Sequence, residues 1–583
     1  MPAGLDTTQQ TFRLCGSLHC LKKARRGVPR RESTINTGVG TTAYGRHVPS
    51  ELVNETVGRL ARRKPIRAEA ETQADIYMLL TTAGLGLDPD DVVKIESQVA
   101  DGTRRRIDIE AGHVVIEVKK DLTVGNLADY EQQLAGYVQQ RHKELGTRYV
   151  GILTDGTGWM LYNLEGDALV FVSELVLNPS APDVAQLLVW LESVMATREQ
   201  IKPTPQEIQD RLGADSPGHR LDHASLAALF EANVDDPEVK LKRELWAKLL
   251  RTAFGKNFVD DPNLFINHTL LVITAELIAH AAVGWDVSPS GGLSPMQLTS
   301  GSEFQQAQIH GVVEADFFDW VVQVKGGQEF VVELGRRIAR FDWTKVEHDV
   351  LKILYESVIA PTERRRLGEY YTPDWLADRV VEATVTDPLG SRVADPSCGS
   401  GTFLFHAIRR YLETAEKSGT PTATAVHEVT ANVIGMDVHP VAVTLARVTY
   451  VLAIGLNRLR DDDRGPIAIP VYLGDSMQWE QSRDLIGGVD RVTISTEGDS
   501  IIAGGGGVLF GDDLVFPRSI LGDAGRFDRL VSEMADNALD STNKRNGTLI
   551  DPILKRFKVT AEEAEVLSAT FATMRALHKS GKD

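Results

Sequence analysis

Cysteine is nearly missing from this chain: Cys15, Cys20 and Cys398 are the whole complement of 583 residues. Three scattered thiols exclude a disulfide framework and a four-ligand zinc site, and such scarcity fits a reducing cytoplasm. Long apolar runs are also lacking. The longest candidate, around Leu270 to Val283, is interrupted by Glu276 and His280, so no membrane span is expected. The first 20 residues have no apolar signal core. Positive charge is in deficit, with a formal net of −18, which argues against a uniformly basic nucleic-acid binder. No Gly-Lys-Ser/Thr loop exists to cradle phosphates.

What is present is ordinary in bulk and uneven in detail. With 42% apolar and 25% charged residues the composition is that of a globular protein, and the length exceeds what one core usually serves. Residues 1 to 68 carry 13 Lys and Arg against 4 Asp and Glu, a net of +9 that leaves −27 for the remainder. Residues 1–67 are therefore read as a basic, disordered tail, and any DNA contact must come from local patches or a partner.

From Ala68 to Leu80 the pattern reads as a helix. Strand-like runs follow at Arg105 to Glu110 and Val114 to Lys119, then a helical stretch from Leu127 to Lys143, then strands at Tyr149 to Thr154 and Trp159 to Leu164. This αββαββ unit is assigned to residues 68–178, and the prolines near 179–205 to a linker. Residues 206–359 read as a helical connector, interrupted by a Gly/Ser/Pro loop from Val287 to Gly301. Within 360–583, strand-like runs at Arg392 to Ala394, Asn432 to Met436 and Ile467 to Leu473 alternate with helices at Phe403 to Glu416 and Pro440 to Ile454, which implies a parallel, doubly wound sheet. Three strands leave that sheet incomplete. Past Asp475 come short strands between Val489 and Phe516, around Gly504 to Gly507, and a final helix from Ala561 to His578.

Two constellations carry chemistry. In the first, Gly112-His113 suits a tight hairpin turn, which sets Ala111 against Val114 and Asp108 against Glu117. Lys119 shares a strand face with Glu117. Opposed carboxylates repel, at a cost of a few tenths to about 1 kcal/mol, unless a cation lies between them. Asp108 and Glu117 are then candidate Mg²⁺ ligands, with Lys119 placed to orient or deprotonate an attacking water. The alternative is a solvent-exposed hairpin of ordinary polar residues, since Lys120 and Asp121 mark a wet edge.

In the second, a strand ends on Asp395 and runs through Pro396-Ser397-Cys398-Gly399-Ser400-Gly401 into a helix. Gly399 and Gly401 let backbone approach a ligand closely, and the helix N–H groups favour a carboxylate there. Asp437 and Asp475 end the next two strands, and an acid at the second strand end can accept both hydroxyls of a ribose.

The stretch Asp395 to Phe403 closely resembles motif I of the amino-methylating DNA methyltransferases that act on the exocyclic amino group of adenine. Gly368-Glu369-Tyr370-Tyr371-Thr372-Pro373 resembles their motif X. The resemblance implies an S-adenosylmethionine site in which Tyr371, Thr372 and Pro373 cover the methionine part, Asp395 holds its amino group, Asp437 the ribose and Asp475 the adenine amino group. It also implies an Asn-Pro-Pro-aromatic or Asp-Pro-Pro-aromatic tetrapeptide to hold the flipped base, and this sequence contains neither. Arg106 through Lys119, with Gln133 and Tyr137 one helical turn apart, resembles the PD-(D/E)xK nuclease fold. In that family Asp108, Glu117 and Lys119 would be catalytic, Gln133 would assist, and Glu71 would be an accessory acid.

The expected fold is multidomain α/β: a PD-(D/E)xK nuclease-like αββαββ domain, a helical connector, and an incomplete Rossmann-like class I methyltransferase sheet. The order is similar to that of single-chain type IIG restriction-modification enzymes and related anti-phage systems. Expected partners are double-stranded DNA and a second polypeptide carrying the missing tetrapeptide and the target recognition domain; expected cofactors are S-adenosylmethionine and Mg²⁺. Two other readings stay open: a subunit that senses S-adenosylmethionine without methylating, and a nuclease with a degenerate methyltransferase domain. The connector's Glu314-Ala315-Asp316-Phe317-Phe318-Asp319-Trp320 run is assigned to helix packing.

Overall fold

Alternating side chains build the first sheet. Along the parallel pair Val114–Val118 and Val150–Thr154, Val115 and Leu153 enter a cluster with Leu134, Tyr137 and Val138 of the helix Leu127–Leu145, while Ile116 and Ile152 enter the core on the other side. The computed structural model describes residues 13–14, 50–85, 87, 93–98, 106–166, 168–195, 200–314, 316–474, 476, 491–494, 514–522, 524–539 and 550–579. The sheet has six strands in the order Lys94–Gln98, Arg106–Ala111, Val114–Val118, Val150–Thr154, Gly158–Glu165 and Ala168–Val176. All neighbours are antiparallel except the pair that the helix Leu127–Leu145 connects. The first and last strands go beyond the four that the sequence pattern indicates.

Two helices form in the stretches read as tail and linker. Glu51–Leu60, inside the stretch read as a disordered tail, is capped by Ser50 and buries Val53, Val57 and Leu60. Those positions recur at helical spacing, and Arg59 fastens the helix to its neighbour Glu69–Thr82 through Asp75 at 2.7 Å. Val184–Met195 lies in the stretch read as a linker. Its Leu187, Trp190, Leu191 and Val194 line one face and close the same core.

The connector is helical as expected, but it is not a separate layer. One apolar cluster runs without a break from Ile201 to Val471 and joins the connector to the second sheet. The helix Pro262–Ala282 packs against Pro440–Ile454 at its centre. Pro262–Ala282 is long and apolar enough to cross a membrane, yet 89% of its most apolar window is buried inside the protein, as befits a core helix. The buried pair Arg337–Asp222, at 2.8 Å, ties two further connector helices together.

The second sheet is parallel, in the order Arg13–Leu14, Val393–Asp395, Val433–Asp437, Val471–Leu473. The run expected as one strand from Ile467 to Leu473 is two: Ile467–Ala468 pairs with Ile309–His310, and Val471–Leu473 pairs with Val433–Asp437. Pro470 separates them, since it has no N–H to offer a ladder. Farther on, Arg491–Ile494 and Leu514–Pro517 form an antiparallel pair, and the helices Ala524–Leu539, Ile550–Arg556 and Ala561–Lys579 gather around Phe516, Leu530, Met534 and Leu567. Gly504 to Gly507 lie outside the described residues.

Candidate functional site

The hairpin pairs Ala111 with Val114, as a two-residue turn requires, and Gly112 takes a φ of +55°. Asp108 and Glu117 come together at the far end, where the Val118 N–H donates to Asp108 Oδ2 at 2.8 Å. Lys120 is exposed, but the face that carries Glu117 is not. Glu117 is 1% exposed and Lys119 is buried with it, because both face the helix Leu127–Leu145. Lys119 Nζ donates to Glu117 Oε1 at 2.5 Å and to Gln133 Oε1 at 3.1 Å, and Gln133 Nε2 donates to the Tyr137 hydroxyl at 3.2 Å.

Burial, and then the adjacent Asp108 carboxylate, push the Glu117 carboxyl up to about 7. Its Oε2 is buried without a hydrogen-bond partner among the described residues. An acid in that state is short of positive charge. Asp108, Glu117, Lys119 and Gln133 are thus brought together, whereas Glu71 turns away to Arg67 at 3.9 Å, half-exposed or more. Glu69 stands at the site instead: its Oε1 accepts the Lys120 N–H at 3.1 Å, and its charge acts on Glu117. One helical turn on, Gln73 donates to the Asp108 carbonyl at 2.7 Å. Spacing along the helix could have found Glu69, but only strand-to-helix packing selects it over Glu71.

At the second site the strand Val393–Asp395 delivers Asp395 to a turn that Gly399 and Gly401 carry into the helix Thr402–Lys417. Gly401 has a φ of +93°, and a Cβ there would come within 3.2 Å of Ala446 Cα, so both conformation and helix packing demand glycine. The turn is held from two sides. Asp437 Oδ2 accepts the Gly399 N–H at 2.8 Å, and the buried Asp349 accepts from Ser400 and Thr402 hydroxyls at 3.0 and 2.7 Å. Asp349 was not indicated by sequence, because it acts from the stretch read as connector.

Tyr371 packs on Tyr355 at 5.3 Å between ring centroids, and its ring lies 3.7 Å from where a Gly399 Cβ would stand. The Thr372 carbonyl is fixed by Lys352 Nζ at 2.7 Å, and Pro373 caps the helix Asp374–Thr384. Pro396 is half-buried beside the turn. Asp395 and Asp437 are both short of positive charge. Burial raises the Asp395 carboxyl to about 6, with Asp437 adding to the effect, and burial also raises Asp437. Asp395 Oδ1 accepts the Ser397 N–H at 3.2 Å while Oδ2, buried, has no partner among the described residues. Asp475 lies outside the described residues.

Glu369 also belongs to this site, though sequence reading gave it no role. It accepts from the Tyr355 hydroxyl at 2.7 Å and lies 3.4 Å from His439 Nε2, while burial pushes its carboxyl up to about 7. His439 Nδ1 accepts the Val441 N–H at 3.2 Å, which leaves the proton on Nε2, buried without a hydrogen-bond partner among the described residues. The motif around Tyr371 thereby lies next to the helix that follows Asp437.

Residues 346–462 match the family described as N-6 DNA methylase. The match takes in Tyr371, Asp395, the Gly399–Gly401 turn and Asp437, and it bears out the resemblance to amino-methylating DNA methyltransferases for that segment. It begins within the stretch expected as connector, in keeping with the role of Asp349. Among the solved structures similar to the chain are the following two. A DrdV–DNA complex is 16% identical and covers 73% of this chain and 40% of its own, with a TM-score of 0.28. The type IIG restriction endonuclease BpuSI is 16% identical and covers 68% of this chain and 41% of its own, with a TM-score of 0.19. The chain therefore spans about two fifths of the length of each, and overlaps this loose carry no argument.

Proposed function

Taking residues 346–462 as an N-6 DNA methylase segment, we propose that this chain binds S-adenosylmethionine for methylation of the adenine exocyclic amino group in double-stranded DNA, as part of a cytoplasmic restriction-modification system. The observation that carries the reading is the buried, unpartnered Oδ2 of Asp395 beside the glycine turn that Asp437 clamps. The donor set fits the cofactor. Asp395 and Asp437 are carboxylates in need of a cation and of hydroxyl donors, and Gly399 leaves room under Tyr371.

When bound, the cofactor would supply the methyl group. The chain's own residues position it: Asp395 would take its ammonium, Asp437 its ribose hydroxyls, Asp475 the adenine amino group, and Tyr371, Thr372 and Pro373 would cover the methionine end. By the same resemblance methyl transfer also needs an Asn-Pro-Pro-aromatic or Asp-Pro-Pro-aromatic tetrapeptide, which these 583 residues do not contain.

The reading extends to a Mg²⁺-dependent endonuclease in residues 68–178. No group of three or more His, Cys, Asp or Glu suited to a metal is found among the described residues. Two carboxylates can still suffice with water and phosphate oxygens completing the shell, as Mg²⁺ prefers. The orphaned Glu117 Oε2 and the neighbouring Asp108 supply that pair, and Lys119, held by Glu117 and Gln133, would orient the attacking water.

Calorimetric titration with S-adenosylmethionine tests the first part on the chain as it is. Saturable binding that Asp395→Ala weakens supports the reading; absence of binding refutes it. For the methylation step, the coding DNA downstream of Asp583 should be read in all frames for the tetrapeptide, and the two products combined in a methylation assay. A chain that binds the cofactor but stays inactive with every such partner would favour a sensing subunit.

A further inference from the structure

The connector's acidic and aromatic run does more than pack helices. Asp316, Phe317 and Phe318 border a cavity of about 190 Å³ that Glu276, Arg447 and Leu473 also line. None of Tyr371, Asp395, Gly399 or Asp437 lines it. It lies where the connector meets the helix Pro440–Ile454 and the end of the strand Val471–Leu473.

Glu276 is the unusual residue. It sits on the core helix Pro262–Ala282 and is 4% exposed; its carbonyl is bonded to His280 Nδ1 at 2.8 Å, while its carboxylate makes no hydrogen bond or ion pair among the described residues. A buried carboxyl without a partner is costly, and such groups persist where something compensates them. The cations close by are engaged elsewhere. Lys242 is held by the Asp319 carboxylate and the Asp316 carbonyl, and Arg447 by Glu314 at 2.7 Å and the Val471 carbonyl at 3.1 Å. Asp316 keeps one internal bond, from the Phe318 N–H at 2.7 Å. Four acids, Glu276, Glu314, Asp316 and Asp319, therefore face two bases.

We propose that this cavity is a binding site for a small organic cation, an ammonium or guanidinium group on a short apolar or aromatic body. The charged head would bridge Glu276 and Asp316, and the body would lie against Phe317, Phe318 and Leu473, where aromatic faces also attract a cation. The electrostatics agree with this geometry. Burial, and then Asp316 and Asp319, hold the Glu276 carboxyl well above its usual range, and burial lifts Asp316 to about 7. A bound cation relieves both.

The test uses the full chain, with benzylamine as the probe and benzyl alcohol as its uncharged counterpart in calorimetric titrations. Saturable binding of benzylamine, weaker by about tenfold or more for benzyl alcohol, is expected. Glu276→Gln should weaken benzylamine by about tenfold and leave S-adenosylmethionine binding unchanged. Equal affinity for the two probes would show an apolar void only and would overturn the proposal. So would undiminished benzylamine binding by Glu276→Gln, or no saturation at all. The comparison of the two probes on the unmodified chain stands even where the variant fails to fold.

Discussion

Replacing Asp437 by alanine separates the clamp that this carboxylate forms in the structure from the ribose contact proposed for it. Oδ2 accepts the Gly399 N–H at 2.8 Å and Oδ1 the His439 N–H at 2.9 Å. A carboxylate offers about four acceptor positions, so each oxygen keeps one for a ribose hydroxyl. Alanine leaves two backbone donors unpaired, at roughly 1–3 kcal/mol each, and the unfolding midpoint should fall. It would also remove the two hydrogen bonds proposed from the ribose hydroxyls to this charged acceptor, at about 1.5–3 kcal/mol each. A combined loss of about 3 kcal/mol, allowing for water that replaces the carboxylate, weakens the dissociation constant roughly 100-fold. Asp437→Asn retains one acceptor oxygen and should fall between, near tenfold. Calorimetric titration with S-adenosylmethionine, run beside a thermal melt, reads both effects. Unchanged affinity together with a lowered melt would refute the ribose contact and leave Asp437 as a clamp between strand and turn.

Lys119→Ala should abolish Mg²⁺-dependent cleavage of duplex DNA while cofactor affinity holds; persistent cleavage would remove the hairpin as the active centre. Glu117 titrates near 7 in the folded protein against an ordinary 4.5, so its stabilising protonated form is complete below about 4.5 and is lost as pH rises through 7. Glu117→Gln should therefore raise stability above pH 7 by roughly 3 kcal/mol relative to the unmodified chain, as read by denaturant unfolding across that range, and a variant with the same pH dependence would contradict the assignment. Gly435→Ala would set a Cβ 2.6 Å from Leu404 Cδ1 and 3.3 Å from Cys398 Sγ. A loss of about 1–3 kcal/mol is expected in the melt, and an unaltered midpoint would mean that the strand and helix can part more easily than their packing indicates.

Local pattern made much of this architecture legible. The helix Pro440–Ile454 was readable to the residue because Pro440 opens it and Gly455 follows it, and the strands around Asp108, Glu117, Asp395 and Asp437 were placed within a residue or two. Charge misled the reading of Glu51–Leu60. Its basic surroundings hid three apolar positions whose value depends on a sheet that starts more than thirty residues later. Prolines misled the reading of Val184–Met195 in the same way, by marking its flanks as a linker while Trp190 and Leu191 close a distant core. The expected single strand Ile467 to Leu473 was split by one missing N–H at Pro470, a local fact whose effect appears only once each half finds its own partner.

The sequence by itself determined the chemistry on offer: two carboxylates and a lysine astride a hairpin, a glycine turn after Asp395, and an acid at the next strand end. Those are local properties, set by spacing along one or two elements. Tertiary structure decided which groups meet and what state they take. It chose Glu69 over Glu71, brought Asp349 and Glu369 to the glycine turn and the tyrosines beside it, and left the Glu276 carboxylate unpaired among the described residues beside a cavity. The physical reason is that burial and the charges of non-neighbouring residues govern a carboxyl's protonation, and neither is encoded in the few residues around it.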